Sequence, residues 1–304
     1  MMNFPKPEKI TIDKIFLPID QSSKMEADIL RLDKIHPVIS GNKFFKLKYF
    51  LDEAVQKKCE GILTFGGAWS NHIVATACMA SMYQLKSIGI IRGEKPAVFS
   101  ETLKESMKYG MRLEFISRES YRNKQAKEFL SDLSVKFPGY YIIPEGGADM
   151  SGVKGAEEIL ELVGKNDYTH ISCAVGTGTT FCGIANASEE DQQLIAVPVL
   201  KIPENSEKQF TWFLNQNETR NRCHFFYKYH FGGYAKYTDE LIQFMNSFYR
   251  QTNIPTDFVY TGKLLFAIND LVNKNYFSQG SKILMIHSGG LQGNRSLENG
   301  TLIF

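Results

Sequence analysis

The sequence predicts an α/β protein, two-lobed and layered α/β/α, with mostly parallel sheets covered on both faces. Three observations carry that expectation. Short β-branched runs alternate with helical patterns along the chain, the mark of repeated β–α–β units. Three of those runs lead into small glycine-bearing turns: Gly66-Gly67-Ala68-Trp69-Ser70-Asn71-His72, Gly176-Thr177-Gly178-Thr179-Thr180 and Ser288-Gly289-Gly290. The 304 residues, 43% hydrophobic and 22% charged, are enough for about two units of ordinary domain size and fit the average globular chain.

In chain order, Gly41-Asn42 opens a helix over Lys43 to Lys57, whose Phe44, Leu47, Phe50, Leu51, Ala54 and Val55 give a broad apolar face. Gly61 to Phe65 is an apolar strand, and Ser70-Asn71, residues favoured at helix caps, hand it over to a helix from Asn71 to Gln84. The pairing repeats: strand Ser87 to Ile91 with helix Val98 to Tyr109, Arg112 to Ile116 with Arg122 to Val135, Tyr140 to Ile143 with Gly152 to Val163, and His170 to Val175 with Phe181 to Ala187. A strand from Leu194 to Val199, helices from Tyr237 to Arg250 and Gly262 to Lys274, and a strand from Lys282 to His287 complete the pattern.

Charge and cysteine usage narrow the function. Lys+Arg 35 against Asp+Glu 33 leaves +2, too little for a broad nucleic-acid or membrane footprint, though a local cationic pocket for a small anion remains open. The start, MMNFPKPEKITI, has no basic segment before an apolar run, and the stretch Ile73 to Met82 is interrupted by Thr76, Cys78 and Ser81. The expectation is a cytoplasmic protein. Cys59, Cys78, Cys173, Cys182 and Cys223 are scattered, with no Cys-x-x-Cys pair, which suits buried thiols and not a metal site.

The turn from Gly176 to Thr180 has what a phosphate cradle needs: glycines that let backbone N–H groups converge, hydroxyls, and a following helix whose dipole favours an anion. It lacks the lysine of a Walker loop and the third glycine of a dinucleotide fingerprint, so nucleotides are disfavoured; the same turn would also serve as strand punctuation. Lys43 in a first helical turn faces the unfavourable end of the dipole, which lowers its pKa and suits Schiff-base chemistry, unless it is a solvated lysine. Lys46 shares its face at i+3 and can add charge or reach a phosphate. Ser70 and Asn71 either cap a helix or grip a carboxylate, and His72 reads as a first-turn surface or packing residue. Gly232-Gly233 suggests a tight turn that presents Tyr234; Tyr260 and Thr261 stand at another helix start, where Thr261 also suits capping.

Taken together, Ser40-Gly41-Asn42-Lys43-Phe44-Phe45-Lys46-Leu47, the Gly66 to His72 and Gly176 to Thr180 turns, Val259-Tyr260-Thr261-Gly262-Lys263 and His287-Ser288-Gly289-Gly290 resemble the 1-aminocyclopropane-1-carboxylate deaminase and D-cysteine desulfhydrase family. These are pyridoxal-phosphate enzymes of the tryptophan-synthase-β fold, fold type II, and the resemblance runs from about Leu17 to Ile303. It implies pyridoxal 5'-phosphate as cofactor, a small amino-acid substrate, a homodimer, and a smaller lobe (46–157) inserted into a larger one (1–45 and 158–304). By the same resemblance Lys43 would carry the cofactor as a Schiff base, Asn71 would bond its phenolic oxygen, and Gly176, Thr177, Gly178, Thr179 and Thr180 would hold its phosphate, with charge from Lys46. Ser70 would meet the substrate carboxylate or shuttle a proton beside Trp69, Asn71 and His72, and Tyr234 and Tyr260 would flank the substrate.

Departures from the family pattern bear on the substrate. Phe45 stands where the family usually has Arg, and Trp69 where Gln is common. Cyclopropane deaminases have Glu after the second active-site tyrosine; here that residue is Thr261, with Ser288 a second hydroxyl candidate for the pyridine nitrogen. An acid there keeps the ring a strong electron sink, which opening a cyclopropane needs more than expelling a thiol does. The expected reaction is therefore β-elimination from D-cysteine or a related β-substituted amino acid. The alternatives are cyclopropane deamination to 2-oxobutyrate and ammonia, and a non-catalytic pyridoxal-phosphate-binding protein.

Overall fold

The computed structural model describes residues 7–15, 25–164, 167–215 and 217–304. Its strands are β1 (Ile12–Lys14), β2 (Glu26–Arg31), β3 (Gly61–Gly66), β4 (Lys86–Arg92), β5 (Met111–Ile116), β6 (Tyr140–Ile143), β7 (His170–Val175), β8 (Gln193–Pro198), β9 (Cys223–Phe225) and β10 (Lys282–His287). The helices are α1 (Asn42–Gln56), α2 (Asn71–Met82), α3 (Glu101–Lys108), α4 (Arg118–Arg122), α5 (Lys127–Lys136), α6 (Met150–Glu157), α7 (Thr179–Ala187), α8 (Lys208–Thr211), α9 (Asn217–Asn221), α10 (Asp239–Thr252) and α11 (Thr261–Asn273).

Two sheets result. One has the order β1-β2-β10-β7-β8-β9 and is parallel except for β1, which runs antiparallel to β2. The other, β5-β4-β3-β6, is wholly parallel and built from one continuous stretch between β2 and β7 of the first. Burial on both faces explains why these strands read as unbroken apolar runs. Leu30, Ile171, Leu194 and Leu284 pack on one face of the larger sheet, and their neighbours Ile29, Ile195, Ile283 and Met285 on the other.

The seven expected strands are present within a residue of their bounds. Two differences have clear causes. The helix expected over Arg122 to Val135 is two helices, α4 and α5, because no side chain between Tyr121 and Leu133 is buried and a continuous helix would have no apolar face to pack there. Strand β2 escapes sequence reading because its Glu26, Asp28 and Arg31 mask a central position. In the fold, Asp28 accepts a hydrogen bond from the Tyr168 hydroxyl at 2.7 Å, and Arg31 pairs with Asp13 and Asp33. Among the described residues no helix is long and apolar enough to cross a membrane.

Candidate active site

The carboxyl ends of both sheets open on one cavity of about 840 Å³, where parallel α/β sheets hold their ligands. Its floor begins at Gly41, whose φ of +70° and whose lack of a side chain let α1 start against the last strand's loop: a Cβ there would lie 1.8 Å from the Ser288 carbonyl oxygen. The Asn42 amide donates to that oxygen at 3.2 Å. Lys43 Nζ donates to Asn42 Oδ1 at 2.7 Å, and Asn42 Nδ2 donates to Thr180 Oγ1 at 2.7 Å. Asn42 thereby ties the lysine to the turn after β7.

Burial brings the Lys43 amine down to about 8, against a partial pull upward from Asp257 and then Cys173. Lys46, one turn on, is buried with its Nζ 3.5 Å from Thr177 Oγ1. Burial first and Lys43 second push its ammonium well below the usual lysine range. A buried lysine with no ion-pair partner among the described residues, facing hydroxyls at a helix start, suits an anion, whose charge would restore the ammonium form. Gly178 shapes that turn: its φ is +86°, and a Cβ would sit 2.8 Å from the Phe210 backbone. Thr177 and Thr180 line the cavity, as do Gly176 and Gly178; Thr179 does not, and lies buried with its Oγ1 3.0 Å from Thr177 Oγ1.

Across the cavity, Ser70 does cap α2, its Oγ accepting from Ile73 N at 3.4 Å, and it also borders the open space. Asn71 spends one N–H on the Gly290 carbonyl at 3.2 Å, and its Oδ1 is buried without a partner. Of the two readings of His72, surface or packing, the structure gives packing. The residue is buried, with Nε2 2.8 Å from Thr64 Oγ1, whose own hydrogen goes to the Ile143 carbonyl at 2.9 Å. That network assigns the ring proton to Nε2 and leaves Nδ1 bare; burial, then Lys46 and Lys43, hold the imidazole neutral. Trp69 lines the cavity and is exposed, whereas Phe45 turns away into the core beside Phe44.

Tyr260 lies with its ring centroid 5.9 Å from Lys43 Nζ and meets Tyr234 edge-on at 6.2 Å. Both line the cavity, as does Ser288; Thr261 does not, but it is buried with an Oγ1 that has no partner. Four further residues shape the site without having been singled out in the sequence. Asp257 is fully buried and accepts from the amides of Val259, Tyr260 and Thr261 at 2.7 to 3.0 Å, fixing the start of α11. Lys263 donates to the carbonyls of His230 and Gly233, both at 2.8 Å, and so holds the turn that carries Tyr234. Arg92 and Glu145 border the cavity near the ends of β4 and β6, a position after a parallel strand being the signal that would have found them.

These groups suit a phosphorylated, carbonyl-bearing cofactor: a lysine amine poised near neutrality, a buried cation at a glycine and threonine turn, and orphaned polar atoms on Asn71 and Thr261. The model of the family described as "Pyridoxal-phosphate dependent enzyme" matches residues 22–289. The chain belongs to that family. Its cofactor is pyridoxal phosphate, and its architecture is that of fold type II. This pyridoxal-phosphate enzyme is 29% identical to a protein of Pyrococcus horikoshii named "Putative 1-aminocyclopropane-1-carboxylate deaminase", over 96% of this chain and 94% of the relative. It is 28% identical, over 84% of its length and 70% of the relative, to the "Bifunctional D-cysteine desulfhydrase/1-aminocyclopropane-1-carboxylate deaminase, mitochondrial" of Arabidopsis thaliana. A crystal structure of an ACC deaminase homologue superposes with a TM-score of 0.78 at 27% identity, covering 96% of this chain and 94% of that one.

Proposed function

We propose that this enzyme is a lyase that removes the β-substituent of D-cysteine or a related β-substituted amino acid, yielding pyruvate, ammonia and, from D-cysteine, sulfide. Bound pyridoxal phosphate supplies the electron sink for bonds broken at the substrate's α-carbon. Lys43 would hold the cofactor's carbonyl carbon, Lys46 and the Gly176 to Thr180 turn its phosphate, and Asn71, through its second N–H, its phenolic oxygen. Ser70 would bind the substrate carboxylate between Trp69 and His72, with Tyr234 and Tyr260 on the other side. A lysine amine near pKa 8 both takes and returns a proton at neutral pH, which suits Lys43 to the α-hydrogen.

One observation carries the choice of reaction: among the described residues, hydroxyls and no cavity-lining acid stand near the helix start that would meet the pyridine nitrogen. Asp257 spends both carboxylate oxygens on three backbone amides. Thr261 keeps a buried hydroxyl with no partner, and Ser288 borders the cavity. A ring nitrogen facing a hydroxyl makes a weaker electron sink, adequate for expelling a thiolate. Purified holoenzyme assayed with both cysteine enantiomers should release sulfide and pyruvate in equal amounts, faster from D-cysteine. Predominant release of 2-oxobutyrate from 1-aminocyclopropane-1-carboxylate would overturn this assignment. The same reading includes a cytoplasmic homodimer with an inserted lobe, 46–157, closing on a body of 1–45 and 158–304; a sedimenting mass near twice 34.5 kDa is the expected result for the dimer.

A further inference from the structure

We infer that the mouth of the cavity holds an anion subsite formed by Arg92 and Arg118, and that among β-substituted amino acids the site favours those whose side chain ends in an acid group. The inference rests on the amino-acid site proposed above. Strands β4 and β5 are parallel neighbours, with Arg92 opposite Ile116 and Arg118 two residues further on. Arg92 therefore ends β4 and Arg118 begins α4 just past the end of the neighbouring β5, both at the same carboxyl edge from which β3 sends out Ser70 and Asn71. Both line the cavity. Arg92 leans over the glycine loop, an Nη2 lying 3.5 Å from where a Gly67 Cβ would be, and its guanidinium stands 5.8 Å from the centre of the Tyr121 ring.

The charge around them is unbalanced. Among the described residues no carboxylate pairs with Arg92 or Arg118. Among the described residues Glu145 is the one acid bordering the cavity, and it is already engaged, accepting from the Tyr121 hydroxyl at 2.8 Å and pairing with Lys124 at 3.3 Å. Lys43 and Lys46 answer for the cofactor, and the Ser70 loop for the α-carboxylate. Lys236 and two guanidinium forks remain on the lining, and a fork, unlike an ammonium, matches a planar or tetrahedral oxyanion through paired hydrogen bonds. A carboxylate, sulfonate or phosphate at the end of the side chain supplies that oxyanion; D-cysteine would be turned over with the subsite unfilled, so an acid-bearing β-substituted amino acid should bind more tightly.

Holoenzyme titrated with aspartate against asparagine, and glutamate against glutamine, in each enantiomer, isolates the side-chain charge, because every ligand carries the α-carboxylate. Binding is read from the change in the cofactor's visible band. An acidic ligand should bind about tenfold or more tightly than its amide. Added salt should shrink that advantage in the wild-type protein, and the double variant Arg92→Gln, Arg118→Gln should abolish it while moving amide binding by less than about twofold. Equal binding of acid and amide, or a double variant that weakens both alike, overturns the subsite and leaves the amino-acid site standing. A band that responds to none of the ligands overturns the amino-acid site, and the subsite with it.

Discussion

If Lys43 carries the cofactor as proposed, it should set the pH at which the site loads. Its amine is nucleophilic only when neutral, and burial brings its pKa from 10.5 to about 8, so the ammonium dominates below that value and the free amine above it. Capture of pyridoxal phosphate by the apoprotein should accelerate by about tenfold per pH unit up to pH 8 and level off beyond, followed as growth of the visible band; an exposed lysine would level off only above pH 10. Borohydride should bleach that band irreversibly, and Lys43→Ala should bind cofactor without forming it. This residue was legible in the sequence because its chemistry and its place at a helix start coincide. Asp257 was not, since its meaning lies in three amides that only the folded loop brings to its oxygens. His72 was legible by position but left open between surface and packing, because the Thr64 that holds it sits on the preceding strand.

At the scale of elements, the start of α11 depends on Asp257. Three amide donors face its two oxygens, so an amide side chain at this position must turn its own NH₂ against at least one of them. Asp257→Asn should therefore lose about 1–3 kcal/mol, and Asp257→Ala somewhat more, seen as a fall of several degrees in the melting temperature. Tyr260 and Thr261 would loosen together, so the variant should also weaken cofactor retention. Elements were most legible where burial on both faces produced unbroken apolar runs, as in β3, β7 and β10, and least where ion pairs and hydrogen bonds let charges sit inside, as in β2. The three-residue strands β1 and β9 are too short to leave a periodic trace, and their pairing partners fix them instead.

For the whole molecule, alternation of strands and helices predicts parallel sheets but not how many, because pairing is settled by contacts far apart in sequence. The structure gives two, with polar links between them that include Asn71 to the Gly290 carbonyl at 3.2 Å, Lys46 Nζ to Thr177 Oγ1 at 3.5 Å, and the ion pair of Arg295 with Glu105 at 2.5 Å. A cofactor held as proposed touches turns from both, α2 on one side and the Gly176 to Thr180 turn with Ser288 on the other. It then acts as a cross-link that the unfolded chain does not bind. Ligand present at a hundredfold above its dissociation constant stabilises such a protein by about 2.7 kcal/mol, and a covalent bond adds to that. Apoprotein given pyridoxal phosphate should accordingly melt about 5 °C higher or more, in one transition. Lys46→Ala, which removes the buried amine from the phosphate turn, should lose most of the gain when each holoprotein is compared with its own apoprotein. A melting temperature indifferent to the cofactor would mean that the two sheets are not bridged through this cavity.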